Sequence, residues 1–149
     1  MRTTALILLL TVSGWADAAF GTWTMNAARS TVASDPHPKS ITIRIESHPK
    51  GEVFTLDRSE ADGRFTTVST ILYLDGKSRD LQDPGCAGTQ SSRRVDSRTV
   101  EILRMCTNGD SIRYVRRLSA QPNELLLEVT EHRARARSFE RRLVLEKLR

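Results

Sequence analysis

The stretch ITIRIESHPKGEVFTLDR, residues 41–58, shows the pattern that runs through most of the chain. In its first half three isoleucines, at positions 41, 43 and 45, alternate with polar residues. A period of two predicts a β-strand with one buried face. HPKG, residues 48–51, has the composition of a turn, and EVFTLDR then predicts a returning strand. The stretch therefore predicts an antiparallel hairpin.

The same alternation of turns and strands continues on both sides of this hairpin. Asp62-Gly63, Asp75-Gly76 and Asn108-Gly109 are dipeptides typical of tight turns. The further predicted strands are GTWTM before the hairpin and, after it, RFTTVSTILYL, TQSSRRV, VEILRMC, SIRYVRRL, LLLEVTEH and FERRLVLEKL. Residues 28–40 have a loop composition with room for one helical turn, and KSRDLQDPG, residues 77–85, is predicted to be irregular.

About eight or nine short strands with brief connections predict an all-β fold. Consecutive strands of this kind pair as antiparallel neighbours, and closure of the sheet removes its two exposed edges. We therefore expect an antiparallel up-and-down β-barrel formed by a single domain, residues 20–149. A sandwich of two sheets is the alternative architecture.

The first 19 residues, MRTTALILLLTVSGWADAA, have the features of a signal peptide. One basic residue precedes an apolar run, and Ala16-Asp17-Ala18 fits the small-x-small cleavage pattern, with a second cut leaving Phe20 first. The apolar run is short for a membrane span, and no later segment is long and apolar enough to be one. We therefore expect a periplasmic or secreted protein, with an uncleaved anchor as the alternative.

Cys86 and Cys106 are the only cysteines in the sequence, and both follow the leader. In an oxidising compartment two such thiols predict one disulfide, worth on the order of 3 kcal/mol for a loop of this length. A metal pair and a redox couple are the alternatives, but they usually show more Cys and His ligands or a C-x-x-C spacing.

The stretch FGTWTMNAARS, residues 20–30, carries a resemblance to a known family. A G-x-W motif in the first strand, here Gly21-Thr22-Trp23, followed by a meander of strands, resembles the lipocalin and fatty-acid-binding-protein superfamily, and in particular small secreted bacterial lipocalin-like proteins. The resemblance implies a lipocalin-like barrel whose closed end is filled by Trp23. It also implies that an arginine of the last strand, Arg141 or Arg142, stacks on that indole as a cation–π pair.

Alternation places three arginines, Arg104, Arg116 and Arg141, on apolar faces of their strands, and Tyr114 shares a face with Arg116. A buried charge needs a carboxylate, a carbonyl or a bound anion as its partner. The family resemblance implies that interior arginine and tyrosine side chains hold a ligand carboxylate. We therefore expect these four residues to contact a ligand, although one β-bulge would turn any of them towards water.

The net charge is +5, and arginine dominates the basic residues. Arg133, Arg135 and Arg137 alternate around a predicted turn and form a basic surface that suits lipid head groups or another anionic surface. A solvated loop is the alternative. No nucleic-acid-binding motif accompanies these arginines.

Catalytic chemistry finds no support in the sequence. No nucleophile motif, metal-ligand spacing or glycine-rich phosphate loop is present. We therefore expect no enzyme activity, no cofactor and no metal. The predicted function is non-covalent binding of a small apolar or amphipathic molecule, with anionic ligands favoured. The alternative is an interaction protein that works through its basic surface.

Overall fold

The computed structural model describes residues 16–32 and 37–149 of the chain. Most of the predicted signal peptide, residues 1–15, lies outside the described residues, and residues 16–19 form a single helical turn, α1. Among the described residues, no helix combines the length and apolar character of a membrane span.

The described residues form one antiparallel sheet of eleven strands and a short 3-10 turn at Ala27–Arg29. The strands are β1 (Gly21–Met25), β2 (Thr31–Val32), β3 (Pro38–His48), β4 (Gly51–Glu60), β5 (Phe65–Leu72), β6 (Arg79–Asp83), β7 (Cys86–Asp96), β8 (Thr99–Cys106), β9 (Ser111–Leu118), β10 (Glu124–His132) and β11 (Phe139–Lys147).

The sheet closes on itself almost completely. Its order is β5-β4-β3-β1-β11-β10-β9-β8-β7-β6, so the first and last strands of the meander pair and β5 and β6 become the two edges. Strand β2 pairs with β11 beyond the 3-10 turn and continues the line of β1. The fold is therefore the predicted up-and-down barrel, with a gap between β5 and β6 that we call the seam.

The predicted count of eight or nine strands is too low. Strand β6 lies in the segment that the sequence analysis expected to be irregular, because Leu81 is its only apolar residue and Pro84-Gly85 follows directly. Strand β2 has only two residues, which is too short to produce an alternating pattern. Both strands form because a neighbouring strand offers free backbone groups, a tertiary effect that local sequence does not report.

The interior at one end of the barrel is filled with apolar side chains. The buried core comprises Trp23, Ile41, Ile43, Ile45, Phe54, Leu72, Val100, Ile102, Leu125, Leu127, Val129, Leu143 and Leu145. We call this the closed end, where the β3–β4, β7–β8 and β9–β10 turns lie. The opposite end, with the β4–β5, β6–β7, β8–β9 and β10–β11 connections, is the loop end.

Trp23 is buried in the core at the closed end. Its side chain is 1% exposed, and its indole Nε1 donates a hydrogen bond to the carbonyl oxygen of Ala19 at 2.9 Å. Gly21 has a φ of +132°, and a Cβ at this position would lie 2.7 Å from Cε of Lys147. The absence of a side chain at Gly21 therefore lets Lys147 reach across to the indole.

The predicted cation over Trp23 is wrong in its identity. The charged atom over the ring is Nζ of Lys147, 5.2 Å from the centroid, whereas Arg141 lies over the ring of Phe139 and Arg142 is exposed. The register explains the difference, because Trp23 is paired with Lys147. Arg141 lies farther along β11, where the partner strand is β2.

The predicted disulfide is confirmed. Cys86 and Cys106 are bonded, and they join the start of β7 to the end of β8 at the loop end. Cys86 directly follows the β6–β7 turn. The bridge therefore holds that turn against β8.

Candidate functional site

A small cavity lies inside the barrel between the core and the loop end. Its volume is about 60 Å³, and we call it the inner cavity. It is lined by Phe54, Leu56, Val68, Thr70, Ile102, Arg104 and Tyr114. An engineered apolar cavity of about 150 Å³ binds benzene, so this smaller one suits the end of a short alkyl chain rather than a ring.

Arg104 is the charged group of the inner cavity, and its side chain is held by two neighbours. The residue is 7% exposed, its Nε donates to Oε1 of Gln90 at 2.9 Å, and its Nη1 donates to Oδ2 of Asp83 at 3.0 Å. In the described part of the chain, Nη2 of Arg104 has no hydrogen-bond partner. Because Asp83 already balances the charge of the guanidinium, Nη2 can donate a hydrogen bond either to a carboxylate or to a neutral carbonyl oxygen.

Tyr114 supplies a second polar group to the same cavity. Its ring lies 5.5 Å from the guanidinium carbon of Arg104. Burial raises the pKa of the Tyr114 phenol above its ordinary value, so the hydroxyl remains protonated at neutral pH. No hydrogen bond from this hydroxyl to another described residue is present, which leaves it free to donate to a ligand oxygen.

A groove lies along the seam, on the outer side of the inner cavity. Its volume is about 210 Å³, and we call it the seam groove. It is lined by Thr70, Ile71, Tyr73, Lys77, Arg79, Asp80, Leu81, Gln90 and Ser92. Towards the closed end the barrel joins up again below the groove, because the backbone N–H of Gly76 donates to the carbonyl oxygen of Ser92 at 2.8 Å.

A line of hydrogen bonds connects residues of the inner cavity with residues of the seam groove. Nε2 of Gln90 donates to Oγ1 of Thr70 across the seam at 2.9 Å, and Oε1 of Gln90 accepts from Arg104. Thr70 lines both spaces. The line therefore runs from Asp83 through Arg104 and Gln90 to Thr70, and it links strands β6, β8, β7 and β5.

Arg116, another predicted ligand contact, lies inside the barrel but away from the inner cavity. Its Nη2 is 2.7 Å from Oε2 of Glu52, and both residues are 2% exposed. Arg94 approaches the other carboxylate oxygen of Glu52 at 3.3 Å. Burial lowers the pKa of the Arg116 guanidinium, and the neighbouring carboxylate opposes that shift. The partner of this buried arginine is thus a carboxylate of the protein itself.

Arg141 lies near the loop end and also has a partner. Its Nη2 is 3.0 Å from Oε2 of Glu131, and its guanidinium carbon is 4.7 Å from the centroid of Phe139. Burial lowers the pKa of the Arg141 guanidinium, and the Glu131 carboxylate offsets only part of that shift. Of the four predicted contact residues, the structure therefore brings Arg104 and Tyr114 together at one cavity, and it places Arg116 and Arg141 elsewhere.

The basic loop between β10 and β11 contains the three arginines of the predicted anionic-surface contact. Arg133 is 2.9 Å from Oε1 of Glu131 and lies over Phe139 at 4.7 Å. Arg135 shares an open depression of about 560 Å³ with Arg133, and Arg137 lines a different one of about 610 Å³. The three arginines are therefore divided between two separate depressions of the surface.

Sequence reasoning missed the residues that control the seam. Gln90 and Thr70 are polar residues at inward positions of their strands, and Asp83 is in a segment that was predicted to be irregular. The one signal in the sequence was Gln90, a polar residue at an inward position of β7, which pairs with a strand on each side. In the described part of the chain, no group of three His, Cys, Asp or Glu side chains is placed to hold a metal ion.

Comparison with known proteins relates the chain to other proteins through its fold. No protein-family model and no curated protein sequence matches it. Among solved structures, it is similar to a Schistosoma mansoni fatty acid binding protein in complex with arachidonic acid, with a TM-score of 0.58 and 8% identity, over 91% of this chain and 100% of that one.

A second similar structure is a secretory abundant heat soluble protein from Ramazzottius varieornatus. The TM-score is 0.58 and the identity 10%, over 88% of this chain and 96% of that chain. At such identities the likeness concerns the fold alone. The fold is a nearly closed antiparallel barrel of the fatty-acid-binding type.

Proposed function

We propose that this protein binds a small amphipathic molecule, whose apolar part fills the inner cavity and whose acceptor oxygen contacts Arg104 and Tyr114. The observation that carries the proposal is the pair of unused donors, Nη2 of Arg104 and the Tyr114 hydroxyl, at a cavity otherwise lined mainly by apolar side chains. The fatty acid binding protein of similar fold, which was solved with arachidonic acid, supports a ligand of this kind.

The volume of the inner cavity limits the ligand. A binding site for a drug-sized molecule has a volume of about 300–1,000 Å³, whereas the inner cavity has about 60 Å³. A short acyl chain therefore suits the site, and a long fatty acid such as arachidonic acid does not fit it in this conformation.

The proposed role is binding without covalent chemistry. Among the described residues, the hydroxyl groups that line the inner cavity belong to Thr70 and Tyr114, and the other lining side chains are apolar except for Arg104. The leader at residues 1–19 supports export to the periplasm or the exterior as part of the proposal. The protein would then carry or sequester a small molecule outside the cytoplasm.

The experiment is a calorimetric and NMR titration with three six-carbon probes: hexanoate, hexanamide and hexylamine. We expect hexanoate and hexanamide to bind, because both present an acceptor oxygen, and hexylamine not to bind. Tyr114→Phe and Arg104→Met should each weaken hexanoate binding by about tenfold, the value of one charge-assisted hydrogen bond.

The matched control is Arg113→Gln, an exposed arginine on the outer face of β9 that pairs with Glu101. This variant should bind hexanoate with the affinity of the wild type. If the wild-type protein binds neither hexanoate nor hexanamide, the proposal is overturned. If Arg113→Gln and Arg104→Met lose the same amount of hexanoate affinity, Arg104 does not contact the ligand.

A second candidate function is attachment to an anionic lipid surface through the basic loop. Arg135 and Arg137 are exposed, and in the described residues neither has an ion-pair partner. Co-sedimentation with vesicles of phosphatidylglycerol and phosphatidylcholine tests it. Binding that is lost in an Arg135→Gln/Arg137→Gln variant and at high salt would support attachment.

A further inference from the structure

The inner cavity and the seam groove differ in chemistry but lie next to each other. The inner cavity is mainly apolar, whereas hydroxyl, amide and charged side chains dominate the groove. Thr70 belongs to both, and among the described residues the Thr70–Gln90 hydrogen bond is the one that joins a side chain of β5 to β7 across the seam. A molecule that extends from one space to the other therefore needs an apolar end and a polar end.

Several contacts between charged side chains lie towards the loop end of the barrel. Arg141 and Glu131 form an ion pair there, and Arg58 is paired with Glu60 on β4. Arg133 and Arg141 also lie over the ring of Phe139. Breaking a single neutral hydrogen bond at the seam disturbs fewer contacts than opening these pairs, because hydrogen bonds to charged groups are stronger.

The charges of the groove indicate which polar head it suits. Arg79 is held by Asp75, with Nη1 and Nη2 at 2.9 and 2.7 Å from the two carboxylate oxygens, and it lies 3.8 Å above the ring of Tyr73. Lys77 and Asp80 line the same groove, and neither side chain has an ion-pair partner among the described residues. One free cation and one free anion are complementary to a zwitterionic head.

We propose that the seam groove is a second subsite, which binds the zwitterionic head of an amphiphile whose short acyl tail occupies the inner cavity. This inference rests on the proposed function and names its ligand class. The head carboxylate contacts Lys77, the head cation contacts Asp80, and the acyl carbonyl accepts from Arg104 or Tyr114. Separation of Gln90 from Thr70 joins the two spaces and lets the ligand enter from the side of the barrel.

The test compares probes that share one tail and differ in the head. Hexanoylcarnitine has a zwitterionic head, N-hexanoylglycine an anionic head and hexanoylcholine a cationic head, while decanoate extends the tail with apolar carbons. We expect hexanoylcarnitine to bind most tightly, and more tightly than hexanoate. If decanoate, N-hexanoylglycine or hexanoylcholine equals or exceeds hexanoylcarnitine, the head subsite is refuted.

Two groove variants check the assigned contacts. Lys77→Gln and Asp80→Asn should each weaken the binding of hexanoylcarnitine by about two- to fivefold, the range of an exposed ion pair. The affinity for hexanoate should stay unchanged. Lys50→Gln is the control, since Lys50 is an exposed lysine in the β3–β4 turn, outside the groove. An equal effect in the control, or none in either groove variant, would contradict the subsite.

A pair of threonine variants on β5 checks the lateral route. Thr70→Val removes the hydrogen bond across the seam, and Thr67→Val removes a bond to Asp57 on the outer face. In stopped-flow or NMR exchange measurements, Thr70→Val should raise the association and dissociation rates of hexanoylcarnitine about fivefold each. Unchanged rates, or the same rise in Thr67→Val, would refute the lateral route.

The outcomes separate the two proposals. If hexanoate binds but a zwitterionic head adds no affinity, the inner cavity remains a binding site and the groove is not a subsite. If neither hexanoate nor hexanoylcarnitine binds the wild-type protein, both proposals fail.

Discussion

Replacing Arg116 with methionine is expected to cost stability and to leave binding at the inner cavity intact. The residue does not line that cavity, and its Nη2 lies 2.7 Å from Glu52, in a pair in which both residues are 2% exposed. Removal of one partner leaves the other as a buried charge with reduced compensation, and this uncompensated charge is the source of the cost.

The two single substitutions should differ in size. Breaking a buried ion pair costs about 3–5 kcal/mol. Arg116→Met leaves Glu52 with Arg94, 3.3 Å from its other oxygen, so we expect a loss near the lower limit. Glu52→Gln leaves the Arg116 cation buried with no carboxylate. Nη1 of Arg116 already has no hydrogen-bond partner among the described residues, so the loss should lie near the upper limit.

The double variant Glu52→Leu/Arg116→Met should fall within about 1 kcal/mol of the wild type. Two apolar side chains of similar volume remove both desolvation costs together. The assay is equilibrium unfolding in urea followed by circular dichroism, with hexanoate titrations on each folded variant. A loss below about 1 kcal/mol in Arg116→Met, or a double variant as unstable as the sum of the two singles, would refute the reasoning. Lost hexanoate affinity in Arg116→Met with the fold retained would restore Arg116 as a ligand anchor.

Three further predictions concern the disulfide, the acid range and the N-terminus. Reduction of the disulfide should lower the free energy of unfolding by about 3 kcal/mol in urea titrations with and without a reductant. Two arginine hydrogen bonds lower the pKa of Glu101, so its contribution to stability is complete above the ordinary value of 4.5 and is lost as the pH falls through the lowered value. Glu101→Gln should therefore reduce the loss of stability on acidification by up to about 1 kcal/mol, and an unaltered pH dependence of unfolding would contradict this. If the leader is removed, intact-mass measurement should find Ala19 first, because a chain that began at Phe20 would leave the buried indole Nε1 of Trp23 without its carbonyl partner.

Much of the barrel could be predicted from local sequence. The isoleucines at 41, 43 and 45 show a period of two, and Asn-Gly and Asp-Gly dipeptides mark turns between strands. The Trp23 motif indicated which end is closed. Strand β6 could not be predicted, because RDLQD has one apolar residue and pairs only because β7 lies beside it.

The candidate site was predictable in part. Alternation placed Arg104, Arg116 and Arg141 on inward faces of their strands, but it gave no information on which of them has a carboxylate within reach. Glu52 and Arg116 are 64 positions apart and meet only across the barrel interior. A long-range pair of this kind leaves no periodic signal in the chain.

The sequence by itself determined nine of the eleven strands, most turns and an all-β fold, because each depends on the spacing of neighbouring residues. It determined the disulfide because only two cysteines are available to pair. The tertiary structure decided which residues face the remaining space. Register places Lys147 instead of Arg141 over Trp23. Closure of the sheet leaves the seam between β5 and β6 and brings Thr70 to Gln90 across it. These contacts depend on where distant strands meet, so only the folded chain determines them.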